Sequence, residues 1–338
     1  MPADLRVLIR GDGVAACCCA HLLRHAGFPV TVEPLERPRL PVILLGDQAL
    51  ALVRDIFDQP ELFANEPRIR RRVVAWGDGA DPVSVEHSAV VVSEELLLRR
   101  VTPGLLSEGN PTNEAEASWK ILTARPLPVP AVEYSFGARL ASVRPASLAQ
   151  GTDPSACWIE SLDNGWLFLI PGADRAAWLL AIGDSPEALL NHSRVVAEEI
   201  AALGGSGGGF PAYPRIASPL CAPGWVCCGS AAMAFDPICG DGTAHAIREA
   251  ILAAALIRGV DKGAPVEELL THYETRLTAG FRRHLTVCRQ FYSSGGEAIF
   301  WTSEAEAIAR GIDWCDSRLS SYARFRYQLR GFELEAVC

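Results

Sequence analysis

Leu5-Arg6-Val7-Leu8-Ile9-Arg10-Gly11-Asp12-Gly13-Val14-Ala15-Ala16 decides the fold, because an apolar run leads directly into Gly-x-Gly-x-x-Ala and a helix. Leu5 to Ile9 reads as a short buried strand, Val14 to Ala26 as a helix rich in small residues, and Val30 to Glu33 as a second strand. In this βαβ opening Gly11 permits the tight turn, Gly13 lets the backbone approach a pyrophosphate, and Ala16 lets helix and strand pack closely. The helix N-terminus at Val14 and Ala15 supplies amide donors and the positive end of a dipole. Glu33, ending the second strand, is placed to accept hydrogen bonds from the hydroxyls of an adenosine ribose. Asp12 puts a negative charge beside the same pyrophosphate, which is unfavourable unless its side chain points away. The structural alternative is a compact strand-to-helix turn with a solvated acid at the strand end.

The chain around this unit has 338 residues, 49% of them hydrophobic, enough for a substantial core in one large domain or two joined ones. Its 31 basic and 40 acidic residues give a formal charge of -9, which opposes nonspecific attraction to polyphosphate and disfavours a nucleic-acid partner. No apolar run reaches the roughly 18 residues of a membrane span, and the first strand leaves no room for a secretory signal, so a cytoplasmic protein is expected. The 11 cysteines are odd in number, and Cys17-Cys18-Cys19 and Cys227-Cys228 are adjacent rather than spaced as metal ligands. Reduced, buried thiols and no metal site are expected, with Cys338 exposed.

Past Glu33, the stretch Glu36 to Pro41 breaks structure. Val42 to Leu45, Val73 to Trp76 and Ala89 to Val92 read as strands, Asp47 to Phe57 as a helix, and Ser93 as the cap of another. Thr102 to Glu116 reads as a flexible crossing. Trp119 to Leu122, Ala138 to Val143, Cys157 to Leu162, Trp166 to Ile170 and Ala177 to Ile182 then suggest a largely antiparallel sheet in a second domain. Pro186 to Leu203 has helical periodicity, Gly204 to Gly209 reads as a flexible connector, and helices dominate after about Gly242. The expected α/β order is therefore a nucleotide unit over 1–110, an inserted substrate-domain sheet over 111–215, a return to the nucleotide unit over 216–262 and a helical region over 263–338.

The second informative stretch is Trp225-Val226-Cys227-Cys228-Gly229-Ser230-Ala231-Ala232-Met233-Ala234-Phe235-Asp236-Pro237-Ile238-Cys239-Gly240-Asp241-Gly242-Thr243, a strand, a kinked loop with glycines, and a helix start. It resembles the flavin-dependent monooxygenase superfamily typified by para-hydroxybenzoate hydroxylase, and within it the branch of flavin-dependent tryptophan halogenases. The resemblance implies a Rossmann-type FAD-binding domain. Ser230 would lie near the ribityl and phosphate region, and Asp236, Pro237, Gly240, Gly242 and Thr243 would line the isoalloxazine. Amides at the start of the next helix would then stabilise negative charge on reduced flavin.

Further along, Gly46-Asp47 is similar to the Gly-Glu pair of the halogenase branch, and Asn164 to Pro171 to its Gly-Trp strand ending in Ile-Pro. That similarity places Trp166 over the substrate cavity, against an ordinary aromatic core position as the alternative. The sequence departs from the pattern at five places, one of them the halogenases' Trp-x-Trp-x-Ile-Pro signature, which is not intact. Ser230 stands where the family has an acid, Glu94 and Glu95 where an arginine is usual, and Thr123-Ala124-Arg125-Pro126 at an altered strand end. No lysine lies between Gly46 and Trp119, which removes the chemical warrant for halogenation. His245 reads as a packing or surface residue, against one facing the active cavity, and Arg70-Arg71-Arg72 as a solvated edge, against a site for an acidic partner or a nicotinamide phosphate.

The resemblance implies an FAD-dependent monooxygenase that hydroxylates an aromatic substrate through a flavin hydroperoxide. That substrate is a small molecule or a tryptophan side chain of a partner protein. Electrons would come from NAD(P)H or a separate flavin reductase. An FAD oxidase or dehydrogenase that inserts no oxygen, and a degenerate binding module on the flavin fold, are the other readings. No residue stands out as an acid, base or nucleophile.

Overall fold

The computed structural model describes residues 5–35, 37–102, 117–205, 207–320 and 326–337. Its elements in chain order are β1 (Val7–Arg10), α1 (Val14–His25), β2 (Val30–Glu33), β3 (Ile43–Gly46), α2 (Asp47–Phe57), β4 (Arg68–Ala75), β5 (Val83–Val92), α3 (Glu94–Val101) and β6 (Trp119–Leu122). Next come β7 (Val132–Ser135), β8 (Leu140–Leu148), β9 (Ala156–Leu162), β10 (Gly165–Pro171), β11 (Ala176–Gly183), α4 (Pro186–His192), β12 (Ile200–Leu203), β13 (Gly209–Pro211) and β14 (Arg215–Ser218). The rest are β15 (Cys221–Ala222), β16 (Trp225–Cys227), β17 (Met233–Ala234), α5 (Gly242–Asp261), α6 (Val266–Ser294), α7 (Ile299–Leu319), β18 (Tyr327–Arg330) and β19 (Glu333–Ala336).

Two sheets organise these elements. The first runs β15-β16-β6-β1-β2, and β16, β6, β1 and β2 are parallel. Ile9, Ile121 and Val226 at its centre are fully buried, as expected of parallel strands covered on both faces. The covering helix α1 shows no solvent at Ala16, Cys17, Cys18, Cys19 or Ala20. These small side chains let α5 lie close against it, with Cys19 Sγ 3.6 Å from the Ala250 carbonyl and 3.9 Å from Cys228 Sγ. The second sheet has nine strands in the order β12-β8-β11-β10-β9-β4-β5-β3, with β13 also on β8. It is antiparallel except at β4 and β9 among the described residues. This is a Rossmann-type domain with a mainly antiparallel second sheet and a helical C-terminal region.

The expected segment boundaries and the observed sheets differ. Although they lie within 1–110, β3, β4 and β5 belong to the nine-stranded sheet, where Arg71 to Ala75 pair with Ala156 to Glu160. Conversely β6, read as the first strand of the inserted sheet, sits between β1 and β16 in the parallel one. The expected helix over Pro186 to Leu203 stops at His192, and the chain continues into β12. A buried carboxylate explains the stop. Glu160 accepts the Ser193 hydroxyl and the amides of Arg194 at 2.8 Å and Val196 at 2.9 Å, donors that a continuing helix would spend internally. The glycines from Gly204 lie along β8, where the Gly208 carbonyl accepts from Val143 at 2.9 Å. Any side chain at Gly207 would collide with the Val143 carbonyl. The C-terminal region adds a hairpin, β18 and β19, to the expected helices. Most of the expected crossing over Thr102 to Glu116, and Cys338, lie outside the described residues.

Candidate functional site

Parallel register brings the candidate residues to one sheet edge. Arg10 pairs with Leu122 and Leu122 with Cys227, so Gly11, Thr123 and Cys228 leave the sheet side by side. The backbone at Gly11 has φ +123°, and a β-carbon there would collide with Thr123 Oγ1. That hydroxyl donates to the Arg10 carbonyl at 2.9 Å, and the Gly11 amide donates to the Glu33 carbonyl at 2.9 Å. Gly229, at φ +59°, has room for a β-carbon only 3.0 Å from that of Ala15. Next to it the exposed Ser230 donates its hydroxyl to the Thr123 carbonyl at 3.1 Å. Glu33 forms an ion pair with Arg10 at 2.7 Å, and its side chain is about half exposed.

Directly over the α1 N-terminus stands an ionic cluster. Asp12 and Glu94 are both buried. Asp12 pairs with Arg39 and lies 3.9 Å from the Arg37 Nε, while Glu94 pairs with Arg37 and accepts the Leu40 amide at 2.9 Å. Both arginine side chains stay about a third exposed. A β-carbon at Gly13 would lie 2.7 Å from Arg37 Nη2, and no side chain caps the helix there. The charge of Asp12 is thus neutralised where it stands. Two arginines from the loop after β2 thus stand against the acidic start of α3 and the α1 N-terminus.

The loop after β17 leads on to the α5 start. Asp236 is buried, with its carboxylate accepting the Ile238 amide at 2.8 Å and pairing with Arg139. Arg139 also pairs with Glu304 and lies 4.4 Å from the centre of the Tyr292 ring, with its side chain wholly removed from solvent. Asp236 therefore holds the loop from below, and Pro237, half-buried, opens the one-turn helix that it caps. Gly240 turns the chain at φ +68°, and α5 starts at Gly242 and Thr243 with no side-chain cap. From the other sheet Arg72 approaches this turn, its Nη2 3.6 Å from the position of a β-carbon at Gly240. The same guanidinium contacts His87 at 3.1 Å and lies 5.5 Å from the Phe168 ring centre. Beneath the Gly229 turn, Glu249 accepts the Gly229 amide at 2.7 Å, and full burial pushes its carboxyl up to about 8.

The structure thus gathers Gly11, Gly13, Val14, Ala15, Ala16, Glu33 and Ser230 along one edge, with Gly240, Gly242 and Thr243 at the α5 start. Trp166 is different. It is fully buried, its indole N–H donating to the Tyr292 hydroxyl at 3.1 Å and its ring edge-on to Trp76, so it presents no surface to a substrate. His245 stacks on Phe235 at 3.9 Å and pairs with Asp241 at 3.0 Å. Arg37, Arg39 and Arg72 escaped the sequence reading. The first two flank the proline of a segment read only as a structure breaker, and Arg72 lies in a run read as solvated.

The fold is that of the flavin-dependent halogenases and FAD-dependent hydroxylases. Peptidyl tryptophan dihydroxylase QhpG, essential for tryptophylquinone cofactor biogenesis, aligns over 99% of this chain and 86% of its own with a TM-score of 0.74 at 19% identity. The flavin-dependent halogenase CmlS aligns over 93% of this chain and 71% of its own, with a TM-score of 0.73 at 16% identity. An HpxO variant from Klebsiella pneumoniae, complexed with FAD, aligns over 94% and 99%, with a TM-score of 0.66 at 14% identity. No protein-family model and no curated protein sequence matches the chain.

Proposed function

We propose that this chain is an FAD-dependent oxygenase acting on an aromatic substrate. The observation that carries the reading is the pair of glycine turns that leave one sheet edge side by side, Gly11 to Gly13 and Gly229 to Ser230, the second followed by a loop into the uncapped start of α5 at Gly242. They sit in a fold shared along nearly its whole length with QhpG. The residues fit a dinucleotide. The uncapped α1 terminus with Arg37 and Arg39 suits a pyrophosphate, Glu33 a ribose, Ser230 the ribityl region, and the Gly240 to Thr243 turn the isoalloxazine. Bound flavin supplies the oxygen chemistry, which accounts for the lack of an obvious acid, base or nucleophile in the sequence.

The protein's own part is to bind, orient and exclude water. The α5 N-terminus would favour negative charge on a flavin held there, and the Asp236–Arg139–Glu304 chain fixes the loop that leads into it. Arg72, on the substrate sheet and facing the same turn, is placed to orient a substrate or its carboxylate. The substrate proposed is an aromatic small molecule or a tryptophan side chain of a partner protein, with electrons from NAD(P)H or a flavin reductase. A reducing compartment such as the cytoplasm suits the free thiols of the described cysteines.

A second reading, a module that binds without turnover, is favoured by the Arg37 guanidinium lying against Gly13 where a pyrophosphate would approach. One spectrum separates them. The protein is incubated with excess FAD, freed of unbound flavin and examined in the visible. Retained flavin bands are expected, and a folded protein that stays colourless sinks the oxygenase. If flavin is retained, oxygen-18 incorporation from labelled dioxygen distinguishes an oxygenase from an oxidase or dehydrogenase.

A further inference from the structure

Two thiols and an imidazole meet at the loop before α5, and none of the three is among the residues assigned to the dinucleotide. Cys239 comes from the turn after Asp236. His284 and Cys288 stand one helical turn apart on α6, where an i, i+4 spacing aligns side chains on one face. One ligand-type atom from each lies within 4.8 Å of the other two. Their surroundings differ. Cys288 is fully buried and its sulfur sits 3.2 Å from His284 Nε2, whereas Cys239 is only partly covered.

We infer that Cys239 and Cys288 form a dithiol–disulfide couple in which Cys239 is the attacking sulfur, Cys288 the resolving one, and a peroxide the oxidant. The protonation pattern supports the assignment of roles. Hydrogen bonding from Cys288 lowers the Cys239 thiol below its ordinary value against the opposing effect of burial, which favours the thiolate on the more exposed of the two sulfurs. Burial and the bond to Cys239 push Cys288 well above the ordinary thiol range, so it keeps its proton until a sulfenic acid forms beside it. The cysteines clustered at α1 and β16 behave oppositely. Burial raises Cys17, Cys227 and, further, Cys18, while a hydrogen bond with Cys19 and burial raise Cys228, leaving inert thiols.

The chemistry closes in two steps. The Cys239 thiolate attacks hydrogen peroxide; the O–O bond breaks, an S–O bond forms, and with one proton the other oxygen leaves as water. Cys288 then attacks the sulfenic sulfur. An S–S bond replaces the S–O bond, the hydroxyl leaves as a second water, and peroxide has taken two electrons from the thiol pair. The Cys288 proton leaves with that hydroxyl. His284 Nε2 accepts the Asp236 amide at 2.9 Å. That same bond argues against a metal ion, which would have to displace the amide from the nitrogen. The source of peroxide rests on the flavin reading, since flavin that reacts with oxygen without a substrate releases it. The couple itself does not. Its disulfide would tie the flavin-facing loop to α6.

The test adds peroxide from outside. Reduced protein, with and without FAD, is titrated with hydrogen peroxide, alkylated, digested with trypsin and analysed by mass spectrometry. Cys288 leaves in the short peptide His284 to Arg289, and fragment ions distinguish Cys239 from Cys221, Cys227 and Cys228 on its partner peptide. The expected product is a Cys239–Cys288 link that dithiothreitol reverses and Cys239→Ser abolishes. In Cys288→Ser, dimedone is expected to trap a sulfenic acid on Cys239. Should that core variant not fold, the half-exposed Cys239→Ser carries the test through the alkylation of Cys288. Absence of the link while other thiols oxidise, or one zinc ion per chain that protects both cysteines, would overturn the couple. A colourless protein that forms the link refutes only the flavin reading, and a yellow one that does not refutes only the couple.

Discussion

Two arginine–carboxylate clusters, one at the α1 start and one at the loop before α5, are built to different degrees of closure. Over Gly13, Arg37 and Arg39 keep about a third of their side chains in solvent while pairing with Asp12 and Glu94. Under Asp236, Arg139 has none, and it is bracketed by Asp236, Glu304 and the Tyr292 ring. A guanidinium that still reaches water can trade a carboxylate for a phosphate at little cost. One that has lost all its water cannot change partners without leaving a bare charge behind. The open cluster suits a ligand that comes and goes, and the closed one a loop that must not move.

The largest effect separating the two is expected from Arg139→Met. It strands two buried acids and should cost about 3–5 kcal/mol of stability in chemical denaturation. A loss below about 1 kcal/mol would show that the closed cluster is not closed in solution. Glu249 extends the comparison to a buried acid with no cation. With its carboxyl at about 8 folded against an ordinary 4.5 unfolded, unfolding releases a proton between those values, so stability should fall as pH rises through that window. The slope is at most about 1.4 kcal/mol per pH unit, and Glu249→Gln should flatten it. An unchanged slope in the glutamine variant would assign the titration elsewhere.

Arg37→Ala leaves the buried Glu94 with the Leu40 amide as its remaining donor among the described residues, so it is expected to cost about 1–3 kcal/mol of stability and to weaken FAD retention about tenfold. Tighter retention instead would mean that Arg37 blocks the site rather than completing it. The smallest effect belongs to Ser230→Ala. It removes one hydroxyl bond to Thr123 at an exposed position, and flavin titration should show a loss of severalfold at most.

What could be read from the sequence was local. Strand, glycine turn and helix are written within Val7 to Ala16, and the corresponding elements appear within a residue or two of their expected limits at β1, α1 and β2. What could not be read depends on partners far along the chain. Nothing near Arg71 announces that it pairs with Ala156, and nothing near Trp119 says that β1 and β16 will flank it. The helix expected beyond His192 lost to Glu160, a carboxylate more than thirty residues earlier. The candidate site divides the same way. The glycines were visible because their backbone role is intrinsic, whereas Arg37, Arg39 and Arg72 take their meaning from the acids and turns that tertiary structure sets beside them.

The alternation of strands between the two sheets bears on how the protein can be cut. Starting in the parallel sheet with β1 and β2, the chain leaves for β3, β4 and β5, returns for β6, leaves again for β8 to β13 and comes back only at β15 and β16. No single break divides it into two fragments that each contain a whole sheet. Complementation by separately expressed halves should therefore require both to be present during folding, and a ribosome must release β16 before β6 can find its last neighbour.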